Sequence, residues 1–191
     1  YHYYKIIKYY YAIAQFLCCG NYFSGGFMAK VGIVMGSISD LSVVTPAVDI
    51  LKEFGVEVEV RVMSAHRTPN EAHDFAQNAI ANGMEVLISA AGKAAHLGGV
   101  LASFTTLPVI GLPIKSSTMD GLDSLLSTVQ MPAGVPVATV AINGGQNAGL
   151  LAIQILAIKY PELAAKLATY KLDMAKKVNE ADKKLQEELN K

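Results

Sequence analysis

The stretch "SAHRTPNE", Ser64 to Glu71, places three chemically capable groups, Ser64, His66 and Arg67, directly before the start signals of a helix. Thr68 suits an N-cap, Pro69 the first helical position, and Glu71 the third position of a capping box. The first turn of a helix offers N–H groups without intrahelical partners and a partial positive charge, so an anion is welcome there. Arg67, one of only two arginines in the chain, adds a planar fork suited to phosphate or carboxylate. Imidazole titrates near neutral pH, which qualifies His66 as a general acid or base. The plain alternative is a well-capped loop carrying a structural histidine and a surface arginine.

Two further loops carry similar chemistry. In "GSISD", Gly36 permits a tight turn, the hydroxyls of Ser37 and Ser39 suit a phosphate, and Asp40 can accept from a pair of ribose hydroxyls. A simple N-capped helix start would use the same residue types. Neither G-x-G-x-x-G nor a Walker lysine pattern follows, which argues against a dinucleotide or a nucleoside triphosphate. In "AGKAAHLGG", Ala91 to Gly99, His96 stands among small residues with little packing reason to be there. His73, inside the capped helix, is assigned to solvent or packing. Two histidines without neighbouring carboxylates or cysteines make a poor metal site, so no metal is expected.

These loops need a scaffold that brings them together. "KVGIVM" (30 to 35) reads as a buried strand, and a helical pattern runs from about Ser39 to Phe54, closed by Gly55. Pro46 lies inside it, so that helix either kinks or begins at Thr45-Pro46. Val56, Val58, Val60 and Val62 alternate with polar residues as in a half-buried strand, and the capped helix then spans about 69 to 82. Strands at 85 to 91, 107 to 113 and 135 to 142 alternate with helices near 97 to 105, at 121 to 130 and from Asn147. Such alternation means parallel strands with crossover helices, and the expected fold is an α/β, flavodoxin-like three-layer sandwich of about five strands. In such sheets ligands bind beyond the carboxyl ends of the strands, which is where "GSISD", "SAHR", "AGKAAHLGG", "PIKSS" and "NGGQN" all fall.

From Pro161 the tail reads as one long amphipathic helix, with Leu163, Leu167, Tyr170, Met174, Val178 and Leu185 mostly three, four or seven apart. Together with "LLAIQILAI" it gives more apolar helix surface than one small sheet needs, which favours self-association.

A chain of 191 residues has ample length for one domain with a real core. Its first 27 residues differ from the rest. They hold seven of the nine tyrosines, both cysteines, two of the 16 basic residues and none of the 16 acids, so the remainder carries a net charge of −2. That balance gives no basic surface for nucleic acid. The cysteine-free body has no disulfide or thiol chemistry. Residues 1–27 are expected to be a non-native or disordered leader, because "MAKVGIVMGS" after it reads as a natural beginning; tyrosines interrupt its apolar run, which is too short to span a membrane. A targeting segment and a partner-binding extension are the alternatives. Residues 28–191 are expected to form the single domain, with 161–191 as its C-terminal helix.

In combination, "GSISD", "SAHRTP", "AGKAAHLGG", "GLDSLLSTVQMPAGVPVAT" and "NAGLLAIQIL" resemble the N5-carboxyaminoimidazole ribonucleotide mutase family (class I PurE) of purine biosynthesis, from about Lys30 onward. The resemblance implies transfer of a carboxylate from the exocyclic nitrogen of an aminoimidazole ribonucleotide to ring carbon C4, with no cofactor: no metal, ATP or biotin. It implies that Ser37, Ser39, Ser64 and Arg67 hold the phosphate region and Asp40 the ribose. His66 would shuttle the proton, with His96 as its catalytic neighbour. Gly36, Ala65, Ala91, Gly92, Lys93, Ala94 and Leu97 would complete the substrate site. It further implies a cytoplasmic homo-octamer acting on a small molecule, without nucleic-acid or membrane partners. Lys93 stands where the family pattern has glycine and Gly98 where it has proline. Lys93 would either contact the migrating carboxylate or point to water, and Gly98 is expected to loosen the loop. A related branch carboxylates the aminoimidazole ribonucleotide directly with CO2, and a non-catalytic nucleotide-binding module is a third possibility on this fold. A receiver-type regulator would want clustered acids after the first strand and a lysine after the last, and neither is present.

Overall fold

Apolar side chains on both faces of Lys30–Met35 make β1, and all but Lys30 are buried. This central position needs cover from two helical layers. The computed structural model describes residues 29–190, and the expectations for the leader 1–27 lie outside the described residues. After β1 come a 3-10 turn (Ile38–Asp40), α1 (Leu41–Glu53), β2 (Glu57–Val62), α2 (Pro69–Gln77), β3 (Met84–Gly92), α3 (Leu97–Phe104), β4 (Val109–Ile114), α4 (Leu122–Val129), β5 (Ala138–Thr139), α5 (Gly145–Leu156) and α6 (Pro161–Leu189). The strands are parallel and ordered β2-β1-β3-β4-β5. This is the flavodoxin-like order expected from the alternation of elements.

One face of the sheet is covered by α1 and α5. Ala47, Ile50, Ala152 and Ile153 are buried there, and the two helices approach so closely that a β-carbon at Gly149 would collide with Ile50 and lie 2.9 Å from the Ala47 carbonyl oxygen. The other face carries α2 and α3 over a core of Val34, Met63, Phe75, Met84, Leu87 and Leu101. β2 lies at the sheet edge and is only partly covered, with Val62 exposed.

Three boundaries differ from the sequence reading. Helix α1 begins at Leu41 and runs through Pro46, which is exposed. The missing amide falls on the solvent side, and Thr45 Oγ1 donates to the Leu41 carbonyl at 2.8 Å in the same turn. Helix α2 stops at Gln77 rather than near 82. Asn78 Nδ2 donates to the Asp74 carbonyl at 2.8 Å, and the chain turns into β3 through Gly83 at φ +79°. The strand expected over 135–142 shrinks to two residues. Pro113 of β4 accepts from the Asn143 amide at 2.9 Å but has no N–H to donate on that side. Pro136 removes a second donor upstream.

The tail forms a single helix, α6, in which Leu163 is buried while Met174, Val178 and Leu185 are exposed. Among the described residues no helix is long and apolar enough to cross a membrane.

Candidate active site

The loops after β1, β2, β3 and β4 line one open cavity of about 610 Å³, a size suited to a small metabolite. In the first loop Ser37 caps the 3-10 turn, its Oγ accepting from the Ser39 amide at 3.3 Å and from Ser39 Oγ at 2.8 Å. Asp40 occupies the N-cap position of α1, yet its side chain makes no capping bond. Only 9% of it is exposed. Burial pushes its carboxyl above the ordinary carboxylate value, while bonds from Ser39 and the Ser37 backbone act in the opposite direction.

The second loop is tied into a tight turn. Thr68 does not cap α2. Its hydroxyl accepts from the Ser64 amide at 2.8 Å and donates back to the Ser64 carbonyl at 3.2 Å. Held this way, Ser64 Oγ accepts from the Arg67 amide at 3.3 Å and from Arg67 Nε at 3.5 Å. Arg67 also donates to the Gly36 carbonyl at 3.3 Å, joining the first two loops.

The third loop supplies Ala91, Gly92, Lys93, Ala94 and Leu97 to the cavity wall. Lys93 has φ +56°, the left-handed region; a residue with a β-carbon pays about 1–2 kcal/mol to sit there. Gly98 does not loosen this loop: it is buried in the first turn of α3, where a β-carbon would meet Ser89 Oγ at 2.6 Å.

His66 lines the cavity. His96 instead lines a neighbouring groove between α3 and α4, with Gly99, Leu126 and Met131. The two imidazoles nevertheless touch, with His66 Nε2 lying 3.1 Å from His96 Nδ1. Their rings are edge-to-face at 5.2 Å between centroids. One of the facing nitrogens must carry the shared proton. His73 packs edge-to-face on Phe104 and bonds Asp74 at 2.9 Å, the structural role read for it.

Gly36, Ser37, Ser39, Asp40, Ser64, Ala65, His66, Arg67, Ala91, Gly92, Lys93, Ala94 and Leu97 therefore share one cavity, with His96 joined to it through His66. The sequence reading singled out no residue of the fourth loop, yet Ile114, Lys115 and Ser116 also line the wall. Their position after β4 was the only available signal. The fifth loop lies outside the wall, but Asn143 Oδ1 accepts from the Lys115 amide at 2.9 Å and so braces the fourth. Among the described residues no group of three or more His, Cys, Asp or Glu side chains is placed to hold a metal ion.

Both the sequence and the fold are shared with known proteins. Residues 30–177 match the family described as AIR carboxylase. The chain belongs to that family. A Pyrococcus horikoshii relative named N5-carboxyaminoimidazole ribonucleotide mutase is 59% identical over 157 residues, 82% of this chain and 89% of that protein. A Thermotoga maritima protein of the same name is 56% identical over 160 residues, 84% and 94% of the two chains. A crystal structure of Treponema denticola PurE superposes with a TM-score of 0.76 at 31% identity, over 82% of this chain and 98% of that one. Within the AIR carboxylase family the four-loop cavity becomes the candidate catalytic site. Its lining cations, Arg67, Lys93 and Lys115, outnumber its one acid, Asp40, as an anionic substrate would require.

Proposed function

We propose that this chain is a mutase that moves the carboxylate of N5-carboxyaminoimidazole ribonucleotide to ring carbon C4, a step of de novo purine biosynthesis. The observation that carries this reading is the contact of His66 with His96 at the edge of a cationic cavity, in a chain of the AIR carboxylase family.

The N-carboxylate releases CO2 when its nitrogen receives a proton. The aminoimidazole then has an enamine-like carbon, C4, which attacks the carbon of CO2. The resulting tetrahedral C4 loses its proton and restores the aromatic ring. One group can give the first proton and take the second, so protons balance over the cycle. His66 fills that role, and its bond to His96 fixes its ring and hydrogen placement. Ser37, Ser39, Ser64 and Arg67 bind the phosphate region, with Arg67 held in a fork by Ser64 and Gly36. Asp40 makes no capping bond and, beyond its bond from Ser39, has lone pairs left to accept from ribose hydroxyls. Gly36, Ala65, Ala91, Gly92, Lys93, Ala94 and Leu97 complete the wall that keeps CO2 beside C4. No metal, ATP or biotin enters these steps.

We further propose that residues 28–191 form one mutase-like domain that assembles as a cytoplasmic homo-octamer. Exposed Leu122, Leu126 and Val129 on α4 supply apolar surface for such contacts. The test follows formation of the C4-carboxylated nucleotide from the N-carboxylated substrate and, in parallel, from aminoimidazole ribonucleotide with bicarbonate. Fast turnover of the first with slow turnover of the second is expected. The reverse preference would assign direct carboxylation, and no turnover of either would leave a binding module.

A further inference from the structure

Of the three cations lining the cavity, two are engaged. Arg67 is held by Ser64 and Gly36, and Lys115 Nζ lies 2.6 Å from Asp120 Oδ1. Lys93 is exposed, and among the described residues its side chain has neither an ion pair nor a hydrogen-bond partner. It also holds a backbone conformation natural to glycine, at φ +56°. Left-handed strain at a site residue persists where the surrounding structure imposes it, and such positions gather at functional sites.

Its place in the loop fixes which part of a nucleotide it can serve. The Ala95 amide donates to the Lys93 carbonyl at 2.8 Å, and the His96 amide to that of Ala94 at 2.9 Å. These turns put Lys93 on the same short loop as His96, which contacts His66. Ser37, Ser39, Ser64 and Arg67 lie on the loops after β1 and β2 instead, and His66, beside Arg67, reaches from there to His96.

We propose that the Lys93 ammonium binds the migrating carboxylate and sets a preference for carboxylated over uncarboxylated nucleotide. This rests on the functional reading above and adds the specificity residue to it. The carboxylate leaves the exocyclic nitrogen and arrives at the adjacent ring carbon, within reach of one flexible side chain. Substrate and product both carry it, so Lys93 binds them alike. At the intermediate stage the group is neutral CO2, so the ion pair belongs to the ground states: it sets KM and product affinity and does not raise kcat.

The test compares Lys93→Met, Lys93→Gly and Lys93→Arg in the full chain. It reads kcat and KM for the N-carboxylated substrate, and Kd for both the C4-carboxylated product and aminoimidazole ribonucleotide. With Met or Gly, KM and the product Kd should rise about fivefold, the upper range for one exposed charge contact. The Kd for aminoimidazole ribonucleotide should stay within about twofold, kcat should not fall, and Arg should restore the parent values. Equal weakening of both nucleotides would move Lys93 to the phosphate and overturn the proposal, as would no change in either. A loss with Gly alone would make it a backbone effect and also overturn it. Should the parent turn over neither nucleotide yet show the same selective loss of product binding, the mutase reading falls and the carboxylate site stands.

Discussion

Gly98 offers a test of the packing that sets the start of α3, two residues beyond His96. Alanine is favoured over glycine by about 1 kcal/mol in a helix interior, and by less in the first turn of α3 where Gly98 sits, so Gly98→Ala would stabilise an unobstructed site modestly. Here the new β-carbon would lie 2.6 Å from Ser89 Oγ, with Val137 Cγ1 at an ordinary 3.4 Å. Ser89 is only 3% exposed, and its hydroxyl has one long bond, 3.5 Å, to the Ile110 carbonyl. Rotating Oγ away leaves a buried hydroxyl unsatisfied, a loss of about 1–3 kcal/mol. The loss outweighs the helix gain, so Gly98→Ala alone should destabilise by roughly 1 kcal/mol. In a Ser89→Ala background the obstruction is gone, and the same substitution should stabilise by up to about 1 kcal/mol. Urea unfolding of the four proteins at one concentration measures the coupling, expected at about 1–3 kcal/mol. Equal effects of Gly98→Ala in both backgrounds would refute this account of why a glycine stands there.

His66→Asn should lower kcat by about 10²–10⁴, the usual range for a lost acid–base group, with the Kd for aminoimidazole ribonucleotide little changed; retained turnover would remove His66 from the chemistry. Arg67→Lys cannot hold both Ser64 Oγ and the Gly36 carbonyl, so KM should rise about tenfold with kcat largely kept. An unchanged KM would place the phosphate elsewhere. Asp40→Asn addresses pH. Because burial raises the Asp40 pKa above 3.8, the native state holds a proton that the unfolded chain releases. Its stabilising contribution is present below that value and is lost as pH rises through the folded-state pKa. Asp40→Asn should therefore be more stable than the parent at neutral pH, lose that advantage in acid, and bind nucleotide more weakly. Thermal unfolding across that range measures this, and an advantage independent of pH would refute it.

Much of this architecture was legible because the apolar runs are short, β-branched and separated by helix-period segments. The run 30–35 and the alternation from Val56 to Val62 became β1 and edge strand β2. Loop order along the chain then brought Ser37, Ser64, His66 and Lys93 to one cavity. What sequence could not supply was set by pairing across space. β5 is short because Pro113, far away in the chain, faces it without a donor. Gly98 reads as a flexible loop residue until Ser89 is seen against it. The separation of His96 from the main wall likewise depends on how α3 meets α4.

The residues that sequence left most ambiguous were those of capping type, because Ser, Thr and Asp serve helix starts and ligands with the same atoms. The structure separates the two uses. Ser37 caps a short turn, while Asp40 at the start of α1 and Thr68 at the start of α2 make no capping bond. A side-chain cap stabilises a helix by about 1 kcal/mol; at α1 the Ser37-capped 3-10 turn takes its place, with the Leu41 amide donating to the Ile38 carbonyl, while α2 goes without one. Instead the Thr68 hydroxyl closes on Ser64, which in turn holds Arg67. The Asp40 carboxylate stays partly desolvated beside the cavity. Both helix starts thus keep first-turn N–H groups without a side-chain partner next to Arg67 and the serine hydroxyls. On the proposed function, these N–H groups, Arg67 and the hydroxyls are the donors offered to a phosphorylated ribose.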